Sequence, residues 1–337
     1  MSATPSQRRP TVATVAERAQ VSRQTVSNAI NAPHLVRPET LARVQAAIDE
    51  LGYRPHRAAR TLRTQRSYLI AARMHKAGSD LLDRFLHALT TQAQQQGYRV
   101  MLFAEADDTG EIATYDELLG DHDLDAFVLT GTHVGDRRTE WLARRGAAFV
   151  TFGRPWGATA DHGWVDVDGA AGTRAATEHL LDRGHRRIGF VGWPPGSGVG
   201  DDRHEGWRRS GAAVGLDTSL HRSFEDSLDN GRRACAELLD LDDPVTAFVC
   251  VSDTLALGVW TELTARGVRP GRDVGVIGFD DSPAARVTGL TSVAQPVDDV
   301  ARACLRMLHE VIGAREPSER LPDPVLLPPT LVVRDTA

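Results

Sequence analysis

Apolar residues near the start of the chain recur at helical spacing and predict three short helices. The first begins after Thr11, a residue that caps helix N-termini well. Its apolar face repeats at i, i+3, i+4 and i+7 and comprises Val12, Val15, Ala16 and Ala19. After a tight turn, Ser22 is placed to cap a second helix that buries Val26 and Ile30.

A third helix is predicted to begin with Pro38 in its first turn and to stop at Gly52. Its apolar stripe comprises Leu41, Val44, Ile48 and Leu51. Two short helices joined by about three residues, with a third beneath them, form a helix-turn-helix.

The polar side of the second helix carries Arg23, Gln24 and Asn28. In a helix-turn-helix the start of this helix meets base edges in the major groove, where arginine pairs with guanine and glutamine or asparagine with adenine. The hydroxyl groups predicted to hold phosphates are those of Thr11, Ser22, Thr25 and Ser27. On spacing alone, a merely solvated helix face explains the pattern equally well.

The segment GYRPHRAARTLRTQRS follows the third helix, and Pro55 prevents that helix from continuing into it. Its arginine-rich part, including Arg57 and Ala59, is long enough for about two helical turns, marginal in isolation. One interpretation is a flexible basic linker. The other is a helix that folds on DNA and wedges Leu62 into the minor groove.

From Ser67 onward, eight apolar runs alternate with helical stretches. This alternation predicts parallel sheets with helices on both faces, and 337 residues are enough for two such lobes after the helical head. The fold class is therefore an all-α helix-turn-helix head with a hinge helix, followed by an α/β core of two doubly wound parallel-sheet lobes.

Ligands of such sheets bind beyond the carboxyl ends of the strands. Arg154, Ser252, Asp253 and Asp280 lie at strand ends, and a glycine-rich loop leads to Arg203. Carboxylates and arginines that converge on a cleft suit a ligand with many hydroxyl groups. The alternative is that the strand-end aspartates only cap the next helices.

The charge is divided unevenly. Residues 1–66 hold eleven arginines, no lysine and four acidic residues, a net +7, so the remaining residues carry −13 within a chain of net charge −6. A basic head on an acidic body favours a polyanion as the partner of the head.

Other classes are disfavoured. The three cysteines are scattered and match no metal-ligand spacing, none of the twelve histidines falls in a catalytic or metal-type cluster, and no nucleotide-loop motif is present. We therefore expect no enzyme activity, no cofactor and no metal. No apolar run reaches the roughly 18 residues of a membrane span, and the start lacks a signal-peptide core, so we expect a cytoplasmic protein without a membrane partner.

The head motif TVATVAERAQVSRQTVSNAIN and the stretch ELGYRPHRAARTLR resemble the LacI/GalR family of bacterial repressors, over essentially the whole chain. The resemblance implies a recognition helix at 23–30 and a hinge helix around 56–63 with Leu62 as the intercalating residue. Asn28 stands where the family very often has arginine.

The body resembles the periplasmic sugar-binding fold, whose lobes are crossed by three segments, here expected near 162–168, 288–294 and 322–326. The resemblance assigns Arg203 and Asp280 to ligand binding. Leu82 and Asp226 occupy positions where relatives carry pocket aromatics, so we expect no ring for a sugar to stack on and an effector that differs from a hexose in size or class.

The implied domains are a head at 1–54, a hinge at 55–66 and a core at 67–337. The lobes of the core are expected at about 67–164 with 292–323, and 165–291 with 324–337. The implied function is repression of sugar-utilisation genes by a homodimer on pseudo-palindromic operator DNA, in the cytoplasm at the nucleoid, under control of a sugar-like effector. The alternative effector is a nucleoside or purine acting as co-repressor.

Overall fold

The computed structural model describes residues 10–53, 66–74, 80–121, 124–157, 162–313 and 321–337. The chain divides into two compact units, residues 1–67 and 68–337. The described helices of the first unit are α1 (Val12–Ala19), α2 (Arg23–Asn31), a 3₁₀ turn (Pro33–Leu35) and α3 (Pro38–Leu51).

The predicted ends of these helices are confirmed. The Thr11 hydroxyl accepts the Thr14 amide and the Ser22 hydroxyl accepts the Thr25 amide, so both residues cap as expected. Helix α3 ends at Gly52, whose left-handed φ of 61° costs a glycine little. The buried apolar residues that hold the three helices together are Val15, Ala16, Ala19, Val26, Val44, Ala47 and Tyr53.

The second unit contains two six-stranded sheets. The first sheet consists of β1 (Leu69–Arg73), β2 (Arg99–Phe103), β3 (Ala126–Thr130), β4 (Phe149–Phe152), β5 (Gly163–Val167) and β11 (Val325–Leu327), in the order β11-β5-β4-β3-β1-β2. The second consists of β6 (Ile188–Gly192), β7 (His221–Ser223), β8 (Ala247–Cys250), β9 (Gly275–Phe279), β10 (Thr291–Ala294) and β12 (Thr330–Val332), in the order β12-β10-β9-β8-β6-β7. All pairings are parallel except that of β12 with β10.

Helices cover the sheets as the alternating pattern predicted. They are α4 (Asp80–Gln95), α5 (Asp108–Asp121), α6 (Arg137–Arg144), α7 (Gly169–Asp182), α8 (Val199–Ala213), α9 (Leu228–Leu239), α10 (Asp253–Ala265), α11 (Pro283–Thr288) and α12 (Val297–Gly313). In the first lobe α4 packs with α12, and α5 with α6. Strand β3 shows why its sequence is continuously apolar: Ala126 and Val128 belong to one buried cluster and Phe127 and Leu129 to another.

The sheets shift the expected lobe boundaries by a few residues. Strand β5 stays in the first sheet to Val167, β10 belongs to the second sheet to Ala294, and β11 belongs to the first to Leu327. The boundaries expected at 165, 292 and 324 therefore each fall too early. The reason is that sheet membership is set by hydrogen-bonded partners distant in sequence.

The three cysteines, Cys235, Cys250 and Cys304, are free and buried. Burial raises the pKa of each of these thiols. Within the described ranges, no helix is both long and apolar enough to cross a membrane.

Candidate DNA interface and ligand cavity

The face of α2 opposite the head core presents the predicted base-contacting residues. Val26 is fully buried, whereas Arg23 and Gln24 are exposed and Asn28 is partly exposed. The Gln24 side-chain amide donates to the Asn28 side-chain oxygen at 3.0 Å. This hydrogen bond aligns the two amides on one helix face, in the i, i+4 arrangement.

The predicted phosphate-binding hydroxyls already have partners within the head. Ser22 Oγ accepts the Thr25 amide at 3.0 Å and lies 2.8 Å from the Thr25 hydroxyl. Thr11 Oγ1 accepts the Thr14 amide at 3.3 Å, and Ser27 Oγ accepts the Asn31 side-chain amide at 3.4 Å. Phosphate contacts by these residues remain a prediction. Arg57, Ala59 and Leu62 of the predicted hinge lie outside the described residues.

In the body, a cavity of about 630 Å³ lies where the carboxyl ends of the strands of both sheets meet. Five of the seven predicted effector-binding residues line it, namely Leu82, Arg203, Asp226, Asp253 and Asp280. Leu82 comes from the first lobe and the other four from the second. The position agrees with the strand-end rule for open α/β sheets.

Arg203 and Asp280 form the charged wall of the cavity. Arg203 is buried on α8; its Nη1 donates to the Val251 carbonyl at 2.6 Å and lies 3.7 Å from Asp280 Oδ1. The guanidinium carbon also lies 3.7 Å from the Phe279 ring centroid. Burial lowers the pKa of Arg203 and raises the pKa of Asp280 to about 7, although the charge of Arg203 acts in the opposite direction on Asp280.

Asp280 is also held through its backbone. Its φ is 109°, in the region that disfavours residues with a side chain, and Asp281 follows at 49°. Arg84 on α4 donates to the Asp280 carbonyl at 2.5 Å, and Gln295 donates to the Asp280 carboxylate at 2.6 Å. The surrounding contacts thus fix a strained turn at the cavity, as is common at binding sites.

The capping interpretation of Asp253 is wrong, because Ser252 is the residue that caps α10, by accepting the Leu255 amide at 3.2 Å. Asp253 instead accepts the Ser282 amide and the Ser292 hydroxyl, each at 2.6 Å. It therefore ties the end of β8 to the segments after β9 and in β10. Burial raises the pKa of Asp253. Ser252 points its hydroxyl to Asp226 and does not line the cavity.

Arg154, the other candidate besides Ser252, does not line the cavity either. Its Nε donates to Asp166 at 2.6 Å, and its Nη2 lies 3.5 Å from Asp202 on α8. Both carboxylates do line the cavity, so Arg154 acts on it by positioning and neutralising them. The sequence analysis does not identify these two aspartates, because Asp166 lies on β5, which it does not predict, and Asp202 lies in the first turn of α8.

The expectation that no ring faces the ligand is wrong. Phe152, Trp156 and Trp193 all line the cavity. Phe152 ends β4, Trp156 lies four residues beyond it, and Trp193 directly follows β6. The strand-end rule would have found them had it been applied to aromatic as well as charged residues.

Comparison with known proteins matches the head and the body to two family models. Residues 11–56 match the family model described as bacterial regulatory proteins, lacI family, and residues 177–337 match a periplasmic binding protein-like domain. Over 319 residues the chain is 34% identical to the HTH-type transcriptional regulator CelR of Thermobifida fusca, covering 90% of this chain and 92% of the relative. The chain belongs to the LacI family.

Solved structures of LacI-family regulators share the fold. A regulatory protein of Chloroflexus aggregans is 33% identical, with a TM-score of 0.73 over 80% of this chain and 98% of that one. The complex of the regulator CelR with cellobiose is 30% identical, with a TM-score of 0.72 over 98% of this chain and 100% of that one. As a member of this family the chain is a DNA-binding transcriptional regulator and not an enzyme.

Proposed function

We propose that the chain represses sugar-utilisation genes, by binding an operator through α2 and responding to a carbohydrate in the body cavity. The DNA-binding part of the proposal rests on the exposed face of α2, where Arg23, Gln24 and Asn28 lie opposite the buried Val26. Arginine and side-chain amides at the start of a recognition helix are suited to guanine and adenine edges.

The carbohydrate proposal rests on the cavity and on one relative. The lining combines carboxylates, a guanidinium and three aromatic rings, the mixture that a polyhydroxylated ring requires. The LacI-family regulator solved with cellobiose covers nearly the whole chain. Arg203, Asp226, Asp253 and Asp280 are the proposed polar contacts, with Arg154 and Ser252 positioning their neighbours.

Control of DNA binding follows from the two-lobed cavity. Leu82 and Asp166 reach it from the first lobe, and Arg203 and Asp280 from the second. A ligand that contacts both lobes stabilises one arrangement of the lobes over another. By linkage, it then changes operator affinity by the same factor by which the operator changes ligand affinity.

The proposed assembly is a homodimer in the cytoplasm, associated with the nucleoid, on a pseudo-palindromic operator. Two heads, residues 1–54 of each copy, would occupy half-sites one helical turn apart. Residues 55–66 would form the hinge, with Arg57 and Ala59 at the backbone and Leu62 in the minor groove. The core would be residues 67–337.

The test uses the full chain. Selection from a random duplex library should yield a two-fold symmetric site, and fluorescence anisotropy should then show that one saccharide of a panel changes affinity for it. Selection of an asymmetric site, or of none, contradicts the operator model. If a purine base or nucleoside changes the affinity and no saccharide does, the carbohydrate proposal is wrong and the alternative effector stands.

A further inference from the structure

Three of the helix N-termini around the cavity, those of α7, α8 and α10, are already occupied by the chain's own side chains. At α7 the Ala170 amide donates to Asp202 at 3.0 Å and the Ala171 amide to Asp168 at 2.8 Å. Before α8 the Gly198 amide donates to Asp201 at 3.1 Å, and α10 is capped by Ser252. Free helix N-termini attract phosphates, but these termini have their amides engaged and, at α7 and α8, a carboxylate in place.

The charge of the lining also disfavours a phosphorylated ligand. Among the described lining residues one side chain is cationic, Arg203, and six are carboxyls: Asp80, Asp166, Asp202, Asp226, Asp253 and Asp280. Arg84 and Arg154 pair with three of these carboxylates, yet the carboxyls still outnumber the guanidiniums two to one. A phosphorylated ligand would add negative charge to a partly buried site that has an excess of it.

Two of the tryptophans that line this cavity have indole nitrogens without a hydrogen-bond partner among the described residues. The indole Nε1 atoms of Trp156 and Trp193 are buried and have no hydrogen-bond partner among the described residues, and the same holds for Arg203 Nε. These nitrogens are shielded from solvent, so the parts of Trp156 and Trp193 that a ligand can contact are the ring surfaces that line the cavity. Sugars offer apolar C–H faces that pack against such rings, together with hydroxyl groups for the carboxylates of the lining.

Two glycines at the start of α8, the N-cap Gly198 and Gly200 in the first turn, lie against the two indoles. A Cβ at Gly198 would lie 2.4 Å from Trp156 Cγ, and a Cβ at Gly200 would lie 3.2 Å from Trp193 Cε3. Gly198 also has a φ of 70°. The start of α8 therefore packs against one tryptophan from each lobe, since Trp156 follows β4 and Trp193 follows β6.

We propose that the effector is an uncharged saccharide of at least two linked rings, and that Trp156 and Trp193 are its aromatic contacts. This rests on the proposed function, since it specifies the ligand of the same cavity. The volume of about 630 Å³ lies within the range of drug-sized ligand sites and exceeds what a single sugar ring fills. The leucines at 81 and 82 line the cavity too, and the two tryptophans supply the rings that this stretch lacks.

The experiment is calorimetric titration of the full chain. The probes are neutral disaccharides and trisaccharides of differing linkage (cellobiose, maltose, cellotriose, maltotriose), glucose, glucose 6-phosphate, and the purine bases hypoxanthine and guanine. We expect one neutral oligosaccharide to bind at least about tenfold more tightly than glucose or glucose 6-phosphate.

Variants then locate the contact. Trp156→Leu and Trp193→Leu should each weaken that oligosaccharide by about tenfold or more, whereas the corresponding Phe variants, which keep a ring, should recover part of the loss. Trp141→Leu is the matched control, because Trp141 is a half-buried tryptophan on α6 that does not line the cavity. Circular dichroism melting identifies any variant that fails to fold, and quenching of the remaining indole fluorescence by the sugar provides a second readout.

The outcomes separate the two proposals. Equal or tighter binding of glucose or glucose 6-phosphate overturns this inference and leaves the carbohydrate function standing. Unchanged affinity in both folded Leu variants would show that Trp156 and Trp193 do not contact the oligosaccharide. Binding of a purine base, with no saccharide bound at millimolar concentration, overturns the inference and the carbohydrate function together.

Discussion

Arg203 and Asp280 stand 3.7 Å apart in the cavity wall, each secured by a different part of the body. Arg203 is anchored to the Val251 carbonyl, while Arg84 and Gln295 hold the backbone and side chain of Asp280. The pair therefore meets a ligand as a preformed unit, at small cost in conformational entropy on binding.

Loss of the guanidinium should uncouple the ligand from DNA. Arg203→Met keeps much of the side-chain length and removes the charge, so we expect effector affinity to fall by roughly 2–3 kcal/mol, about thirtyfold or more. Operator affinity without effector should stay close to that of the wild type. Arg183→Met, at an exposed position just beyond α7, is the control. Anisotropy titrations with and without the effector measure both, and a normal effector response in the Arg203 variant contradicts the assigned role.

Stability should depend on pH through Asp280. Burial raises the pKa of this carboxyl from 3.8 to about 7, so the folded chain binds more protons than the unfolded chain between those values. The contribution of Asp280 to stability is therefore full at low pH and is lost as the pH rises towards 7. The variant Asp280→Asn, whose side chain mimics the protonated carboxyl, should not lose this stability as the pH rises.

The measurement is the melting temperature of Asp280→Asn minus that of the wild type, at about pH 5 and about pH 8. We expect this difference to shift in favour of the variant at the higher pH. Asp182→Asn, at an exposed position, should show no such trend. A difference independent of pH would rule out the raised pKa of Asp280.

Base contacts should depend on the polar face of α2. Arg23→Ala and Gln24→Ala should each weaken specific binding by roughly 1–3 kcal/mol and relax the preference at one base pair. Asn28→Arg should change the preferred base pair, whereas Gln45→Ala, on the exposed side of α3, should change neither affinity nor preference. Repeated site selection with each variant is the assay, and an unaltered preference with Asn28→Arg removes Asn28 from the base-contacting set.

Asp253 should matter for folding as well as for the ligand. Asp253→Ala leaves the Ser282 amide and the Ser292 hydroxyl without their acceptor, so we expect a loss of roughly 2–4 kcal/mol in the free energy of unfolding without ligand. Asp229→Ala, in the first turn of α9, should cost well under half as much. Urea unfolding followed by circular dichroism measures both, and similar losses would show that Asp253 has no special structural role.

Much of the head is predictable from the sequence because its determinants are local. The caps at Thr11 and Ser22, the start at Pro38 and the left-handed stop at Gly52 each act within a turn of their own position. The apolar spacing fixes which side of α2 faces the core, and so which side is left for DNA.

The strand and helix alternation of the body was equally predictable, yet four of the twelve described strands, β5, β7, β11 and β12, are not among the eight predicted runs. They are short or irregular in pattern, and two of them pair with distant strands: β11 pairs with β5 across some 160 residues and β12 with β10 across some 40. Such pairing outweighs local propensity.

The sequence by itself determined the helix-turn-helix, the class of the body and most of the charged cavity residues, because periodicity, caps and strand ends are local signals. Only the tertiary structure decided that Arg154 turns back to Asp166, that Ser252 caps while Asp253 bridges, and that Trp156 and Trp193 face the cavity. Those outcomes depend on contacts between segments brought together by folding, which no local pattern encodes.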